Sequence, residues 1–141
     1  MINKRRAFRE IVMKILFQYD FRPDEFEKIF SDLSRNIKSK SIKTDVNKYV
    51  KGIQNHIGEI DEIIKKHLQN WDFGRISPVE RSVLRLGTYE LIYEPDIPIE
   101  VTLDEMIEIA KTYSSEESGK FVNGILDKIA KTHAPKEKFN L

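Results

Sequence analysis

Cysteine is missing altogether from this 141-residue chain, so disulfides, thiolate zinc sites, iron–sulfur clusters and cysteine nucleophiles are excluded. A reducing cytoplasm is the simplest setting for such a composition. Histidine is scarce, with only His56, His67 and His133. No two of them have the His-x-x-x-His spacing of a helical metal pair. On one helix His56 and His67 would stand about 16 Å apart along the axis, too far to share an ion. They are expected at solvent edges, with no metal and no cofactor. No apolar run approaches the roughly 18 residues of a membrane-spanning helix, and the basic N-terminus leads into an amphipathic pattern containing Arg9, Glu10 and Lys14. The glycines supply no phosphate-cradling loop: Gly119-Lys120-Phe121-Val122-Asn123-Gly124 has its lysine in the wrong place and follows no strand. Glu116 and Glu117 would point about 100° apart on a helix, where they serve its dipole better than acid–base work. These absences make an enzyme the weaker reading.

Charge is abundant and nearly balanced, 24 basic against 23 acidic side chains for a net +1, but it is unevenly spread. Residues 1–22 carry a net +4 through Lys4, Arg5, Arg6, Arg9, Lys14 and Arg22 against Glu10 and Asp20. Residues 35–51 carry +5, with Asp45 the only acid among Arg35 and five lysines. Residues 96–117 carry −6, with Lys111 the only base. Clustered Lys and Arg gain free energy by releasing counterions from a phosphate backbone. A polyanion beside the N-terminal half and a merely solvated helical surface both fit this pattern.

Apolar residues recur at three- and four-residue spacings. Phe8, Ile11, Val12, Ile15, Leu16 and Tyr19 predict a helix over about 4–21, stopped by Pro23. A second helix is expected from Asp24 as N-cap, burying Phe26, Ile29, Phe30, Leu33 and Ile37. A long third runs from Thr44 to Leu68, weakened at Gly52 and Gly58. Residues 69–76, with Trp71, Phe73 and Gly74, form the main internal boundary. Ser77-Pro78-Val79-Glu80 then combines an N-cap serine, a proline at the first helical position and a capping-box glutamate, opening a helix to about Tyr93. Thr102-Leu103-Asp104-Glu105 reads as a second capping box, and Ser115 caps a last helix through Lys131. Pro135 and the charged tail are expected to end the ordered chain. No segment alternates with period two, so the fold class is all-α: six to seven helices in two small packed bundles, about 1–70 and 76–134.

Two groups stand out as binding candidates. Lys4, Arg5, Arg6 and Arg9 open the first helix, where they can reach phosphates or act only as a solubilising cap. Phe121, beside Lys120, Ser118, Gly119 and Asn123, can stack on an unpaired base or belong to the core.

Three stretches carry a family resemblance: Arg81-Ser82-Val83-Leu84-Arg85-Leu86-Gly87-Thr88-Tyr89-Glu90-Leu91, the run from Ile97-Pro98 to Lys111 with Val101, Glu105 and Ala110, and Lys120-Phe121-Val122-Asn123-Gly124-Ile125-Leu126-Asp127-Lys128. Together with the arginine-rich start they resemble the NusB family of bacterial transcription antitermination factors over essentially the whole chain. The resemblance implies a cytoplasmic, non-catalytic, all-helical protein that pairs with NusE, the small-subunit ribosomal protein, on the boxA element of nascent single-stranded RNA. There the pair helps assemble a termination-resistant RNA polymerase complex on ribosomal RNA operons. Some members self-associate as homodimers. Carried onto this chain, the RNA-binding residues are Lys4, Arg5, Arg6, Arg9, Glu117, Lys120 and Phe121, with the two elements side by side. The NusE surface is sought at Glu80, Arg81 and Leu84. The basic run here is shorter than a full block of arginines, and His67 stands where some relatives have tyrosine, so NusE is expected to matter more. NusB-like domains also resemble RNA-docking appendages of ribosomal RNA cytosine methyltransferases. The end of this chain at Leu141 and its lack of a glycine-rich cofactor loop favour the stand-alone factor. A purely protein-binding scaffold is the third reading, separated from the first by RNA binding.

Overall fold

In a computed structural model of the protein the backbone is described over residues 2–69 and 72–141, and side chains from residue 6 onward. Trp71 and the side chains of Lys4 and Arg5 therefore lie outside the described residues. The described residues form six α-helices and no strand: α1 (Ile2–Phe21), α2 (Phe26–Ser34), α3 (Lys40–Lys66), α4 (Pro78–Tyr93), α5 (Ile99–Tyr113) and α6 (Glu116–His133), with short 3-10 turns at Pro23–Glu25 and Lys136–Asn140.

The helix α4 is central because its apolar and small residues leave it almost no solvent face, every residue from Ser82 to Leu91 being buried. It packs against α1 and α3 on one side and α5 and α6 on the other, while α2 flanks α1. The two helical groups thus meet across one shared helix in a continuous core. Val12, Ile15, Ile53, Ile60, Leu84, Leu86, Met106, Ile109 and Leu126 are fully buried in it, each contributing roughly 1.5–3 kcal/mol of transfer free energy. Helices α1 and α3 run parallel to each other. Phe8 meets the ring of Tyr49 edge-on at one end, while Asp20 and Asp61 share Arg85 at the other.

Serine caps set the starts of α3, α4 and α6. At α4 the Ser77 hydroxyl accepts from the Glu80 amide and the Glu80 carboxylate accepts from the Ser77 amide, the reciprocal pair expected from the sequence. Ser115 accepts from the Ser118 amide at the start of α6. Elsewhere the limits move. Asp24 lies inside the 3-10 turn and caps nothing, α2 starting after Glu25. The third helix begins at Lys40, earlier than Thr44, because the Ser39 hydroxyl caps it by accepting from the Ile42 amide. The fifth helix starts at Ile99, after Pro98, so Thr102 is an interior residue whose hydroxyl bonds Glu90 instead of capping.

Three expectations fail for tertiary reasons. Within α3 the backbone departs from helical geometry at His56 (φ −120°, ψ 15°), between the two glycines rather than at either. His56 stacks on Tyr93 with ring centroids 4.1 Å apart and so is no free solvent-edge histidine. The C-terminal tail does not leave the fold, because Lys138 is buried and its Nζ donates to the Glu90 carbonyl oxygen at 2.8 Å.

Candidate nucleic-acid interface

The arginine-rich start divides in two. Arg6 keeps about 39% of its side chain exposed and forks onto the Glu105 carboxylate of α5, at 3.2 Å through Nε and 2.8 Å through Nη2. Its charge is held more firmly than usual by that hydrogen bond, which outweighs partial burial. Arg9 is wholly buried and forks onto Glu90 at 2.7 and 2.8 Å. This corrects the expectation that Arg9 touches RNA. Its position three, four and seven residues before Val12, Met13 and Leu16 places it on the core stripe, where its guanidinium reaches no external phosphate. Burial alone would disfavour its charge, and the bond to Glu90 reverses that.

Glu90 is the centre of this buried cluster. Besides Arg9 it accepts from the hydroxyls of Tyr49 at 2.7 Å and Thr102 at 2.6 Å. Three helices and the tail therefore converge on this one residue of α4. A buried carboxylate with every lone pair engaged is tolerated where an unpaired one would not be.

Of the partner residues expected on α4, Leu84 lies inside and Arg81 is largely covered. Leu84 is fully buried and offers no partner a contact. Arg81 is about 13% exposed; it donates to Asp20 and to the backbone carbonyls of Phe73 and Ile76 at 3.0 Å. With Arg85, which bonds Asp20 and Asp61, it staples α1, α3 and α4 together. Burial would raise the Asp20 carboxyl, but the hydrogen bonds and charges of Arg81 and Arg85 hold it below its ordinary range.

Glu80 is half-buried and stands beside the α6 residues. Its second carboxylate oxygen accepts from the Ser118 hydroxyl at 2.7 Å, tying the starts of α4 and α6 together. One cleft is lined by Ile76, Glu80, Ser115, Glu117, Ser118 and Phe121. A second is lined by His67, Gln69, Lys120, Phe121, Gly124, Ile125 and Lys128. Phe121 is the half-buried wall common to both, packed against the core from within. Glu117, Lys120 and Phe121 are therefore brought together as the sequence suggested, with Glu117 and Lys120 exposed.

Arg6 sits at the beginning of α1 on Glu105 of α5, whereas Arg81, which donates to the carbonyl oxygen of the first cleft's Ile76, pairs with Asp20 near that helix's other end. From Arg6 to Asp20 is about 20 Å along α1, and Lys14, between them, lies over the Tyr113 ring at the end of α5.

Gly124, Ile125 and Lys128 of the second cleft are not among the candidate binding residues of the sequence. Phe121, Gly124, Ile125 and Lys128 fall at i, i+3, i+4 and i+7, a face that helical periodicity could have singled out. No sequence signal points to the pairing of His67, at the end of α3, with His133, whose rings meet edge-on 5.5 Å apart. Burial, then His133 and the cations Lys128 and Lys66, holds His67 below its ordinary value. Among the described residues no cluster of acids and histidines could hold a metal ion, and no helix is long and apolar enough to cross a membrane.

Residues 6–131 match the model of the NusB family. The chain belongs to that family. It is 62% identical, over the full length of both chains, to the transcription antitermination protein NusB of Fervidobacterium nodosum. It is 54% identical to the Thermotoga maritima NusB structure, with a TM-score of 0.89 over 97% of each chain. It is also similar to the structure of antitermination factors NusB and NusE in complex with double-stranded RNA, at 33% identity and a TM-score of 0.86 over 94% of this chain and all of that one. The six-helix architecture is thus that of an antitermination-factor family.

Proposed function

We propose that this protein is a non-catalytic RNA-binding adaptor that pairs with NusE on the boxA element of nascent RNA. In that role it supports termination-resistant transcription of ribosomal RNA operons. The observation that carries the reading is Phe121, an aromatic wall between two clefts whose rims hold Lys120, Lys128 and Glu117. Lysines on the rim engage phosphates, the ring stacks on an unpaired base, and Glu117 accepts from exocyclic amino groups on a base edge. Similarity to the solved NusB–NusE–RNA assembly supports NusE as the protein partner. Arg6 joins the RNA surface by exchanging Glu105 for a phosphate, and Arg9 takes no part. Lys4 and Arg5 remain candidates for the same track.

The test is binding of a short boxA-like single-stranded RNA against a scrambled control, with and without NusE, as salt is varied. About four neutralised phosphates give a log–log salt slope near −3. Phe121→Leu keeps most of the packing but removes the stacking face, and is expected to lose about 1–3 kcal/mol of RNA binding with its melting temperature largely kept. A slope near zero, or an unchanged affinity in a folded Phe121→Leu protein, overturns the reading.

A further inference from the structure

The most positive stretch of the sequence, residues 35–51, takes no part in the site just described. Within it Arg35 is paired with Asp32 at 3.0 Å and Lys48 with Glu94 at 2.9 Å. The four remaining cations, Lys38, Lys40, Lys43 and Lys51, are exposed, and among the described residues none of them has an acid within ion-pair distance. The contrast with α1 is direct, since Arg6 and Arg9 are already neutralised by Glu105 and Glu90. Much of the free positive charge of the N-terminal half therefore lies on α3.

Its arrangement is ordered by the helix. Lys40, Lys43, Asn47 and Lys51 fall at i, i+3, i+7 and i+11, within one narrow stripe opposite the buried Tyr49 and Ile53. The stripe is about 17 Å long, the reach of roughly five phosphates at 3.4 Å per stacked nucleotide. A cleft runs beside it, lined by Lys40, Lys43, Thr44, Asn47 and the Phe30 ring of α2. Phe30 is half-buried and held parallel to Phe26, so its position is set by packing. A cationic stripe edged by an amide, a hydroxyl and a fixed aromatic ring has the composition of a sequence-tolerant track for single-stranded nucleic acid.

We propose that the α2–α3 face is a second RNA site, which holds the sugar–phosphate backbone of RNA flanking the element bound at Phe121. This rests on the RNA-binding reading above for its class of ligand. The separation sets a length requirement. His67 and Gln69, on the rim of the Phe121 cleft, lie at and just past the C-terminal end of α3, and Lys40 and Lys43 lie at its start. That is about 35 Å along the helix, or roughly ten stacked nucleotides. A short RNA occupies one site, and only a longer one reaches both.

The test compares the protein with its Lys40→Gln/Lys43→Gln variant on two RNAs, in the presence of NusE. One RNA carries the boxA-like element alone, and the other carries it with about twenty unpaired nucleotides on each side, twice the required span. Glutamine keeps helix propensity at two exposed positions, so folding is retained. For the long RNA the salt slope of the variant should be shallower by about 1.4, equivalent to a roughly sevenfold smaller loss of affinity between about 50 and 200 mM salt. For the short RNA the two proteins should be alike. Equal slopes on the long RNA overturn the proposal, as does an equal loss on both RNAs. Loss of NusE binding with RNA binding unchanged assigns the stripe to a protein and overturns it as well. If the unaltered protein binds neither RNA, the RNA reading itself fails; a wild-type protein that binds both while the variant behaves identically fails only the second site.

Discussion

At the residue scale the most informative position is Arg9. A basic residue in a basic N-terminal run invites assignment to a nucleic-acid surface, yet its helical neighbours are Val12, Met13 and Leu16, all buried. Its guanidinium is enclosed with Glu90, Tyr49 and Thr102. Removing one member of such a pair leaves the other charge buried without compensation, which costs about 3–5 kcal/mol. Arg9→Leu is therefore expected to lower the denaturant midpoint sharply, and Arg9→Leu/Glu90→Leu to recover part of the loss. The RNA affinity of the molecules that remain folded should be unaltered. A stable Arg9→Leu protein with lost RNA binding would return Arg9 to the interface. The burial was legible as periodicity, but a charge on an apolar stripe acquires its meaning only when its partner is known, and Glu90 lies 81 residues away.

At the element scale the glycines of α3 behave differently although the sequence treats them alike. A methyl group at Gly52 would stand 2.5 Å from the Tyr89 ring, whereas one at Gly58 meets nothing within 4 Å. The first permits α3 and α4 to approach closely, and Tyr89 there donates to Glu94 at 2.7 Å. Burial, with the Glu94 hydrogen bond, pushes that phenol above its ordinary range. Gly58→Ala should stabilise by about 0.5–1 kcal/mol through helix propensity, and Gly52→Ala should destabilise by about 1–3 kcal/mol through overpacking. Thermal melts of the two variants check this, and a shift of the same sign in both would contradict the close approach. Helix existence and caps were legible from local chemistry, as at Ser77 and Ser115. The start of α5 was not, because Thr102 is a good cap by type but its hydroxyl is drawn inward by Glu90.

At the scale of the whole molecule, α4 belongs to both helical groups and two polar clusters cross it. One gathers Arg9, Tyr49, Thr102 and the tail Lys138 around Glu90, and the other gathers Asp20, Asp61, Arg81 and Arg85. Such sharing predicts unfolding in one cooperative step. Asp20 gives that step a pH dependence. Its carboxyl is lowered from an ordinary value of 3.8, so its contribution to stability is complete above that value and is lost as pH falls through the lower folded one. Helical circular dichroism and tyrosine fluorescence should lose structure together on acidification, and Asp20→Asn should flatten the acid limb while lowering stability at neutral pH. Separate transitions for the two probes would mean that the halves unfold independently. Periodicity, capping chemistry and proline positions were enough to determine an all-helical chain and to bring Glu117, Lys120 and Phe121 onto one turn, since each depends on residues within a few positions of one another. Which cations remain free was decided only by tertiary structure. Arg6 and Arg9 are cancelled by carboxylates 99 and 81 residues away, while Lys40, Lys43 and Lys51 meet none among the described residues, because charge neutralisation is a matter of distance in space and the sequence records only distance along the chain.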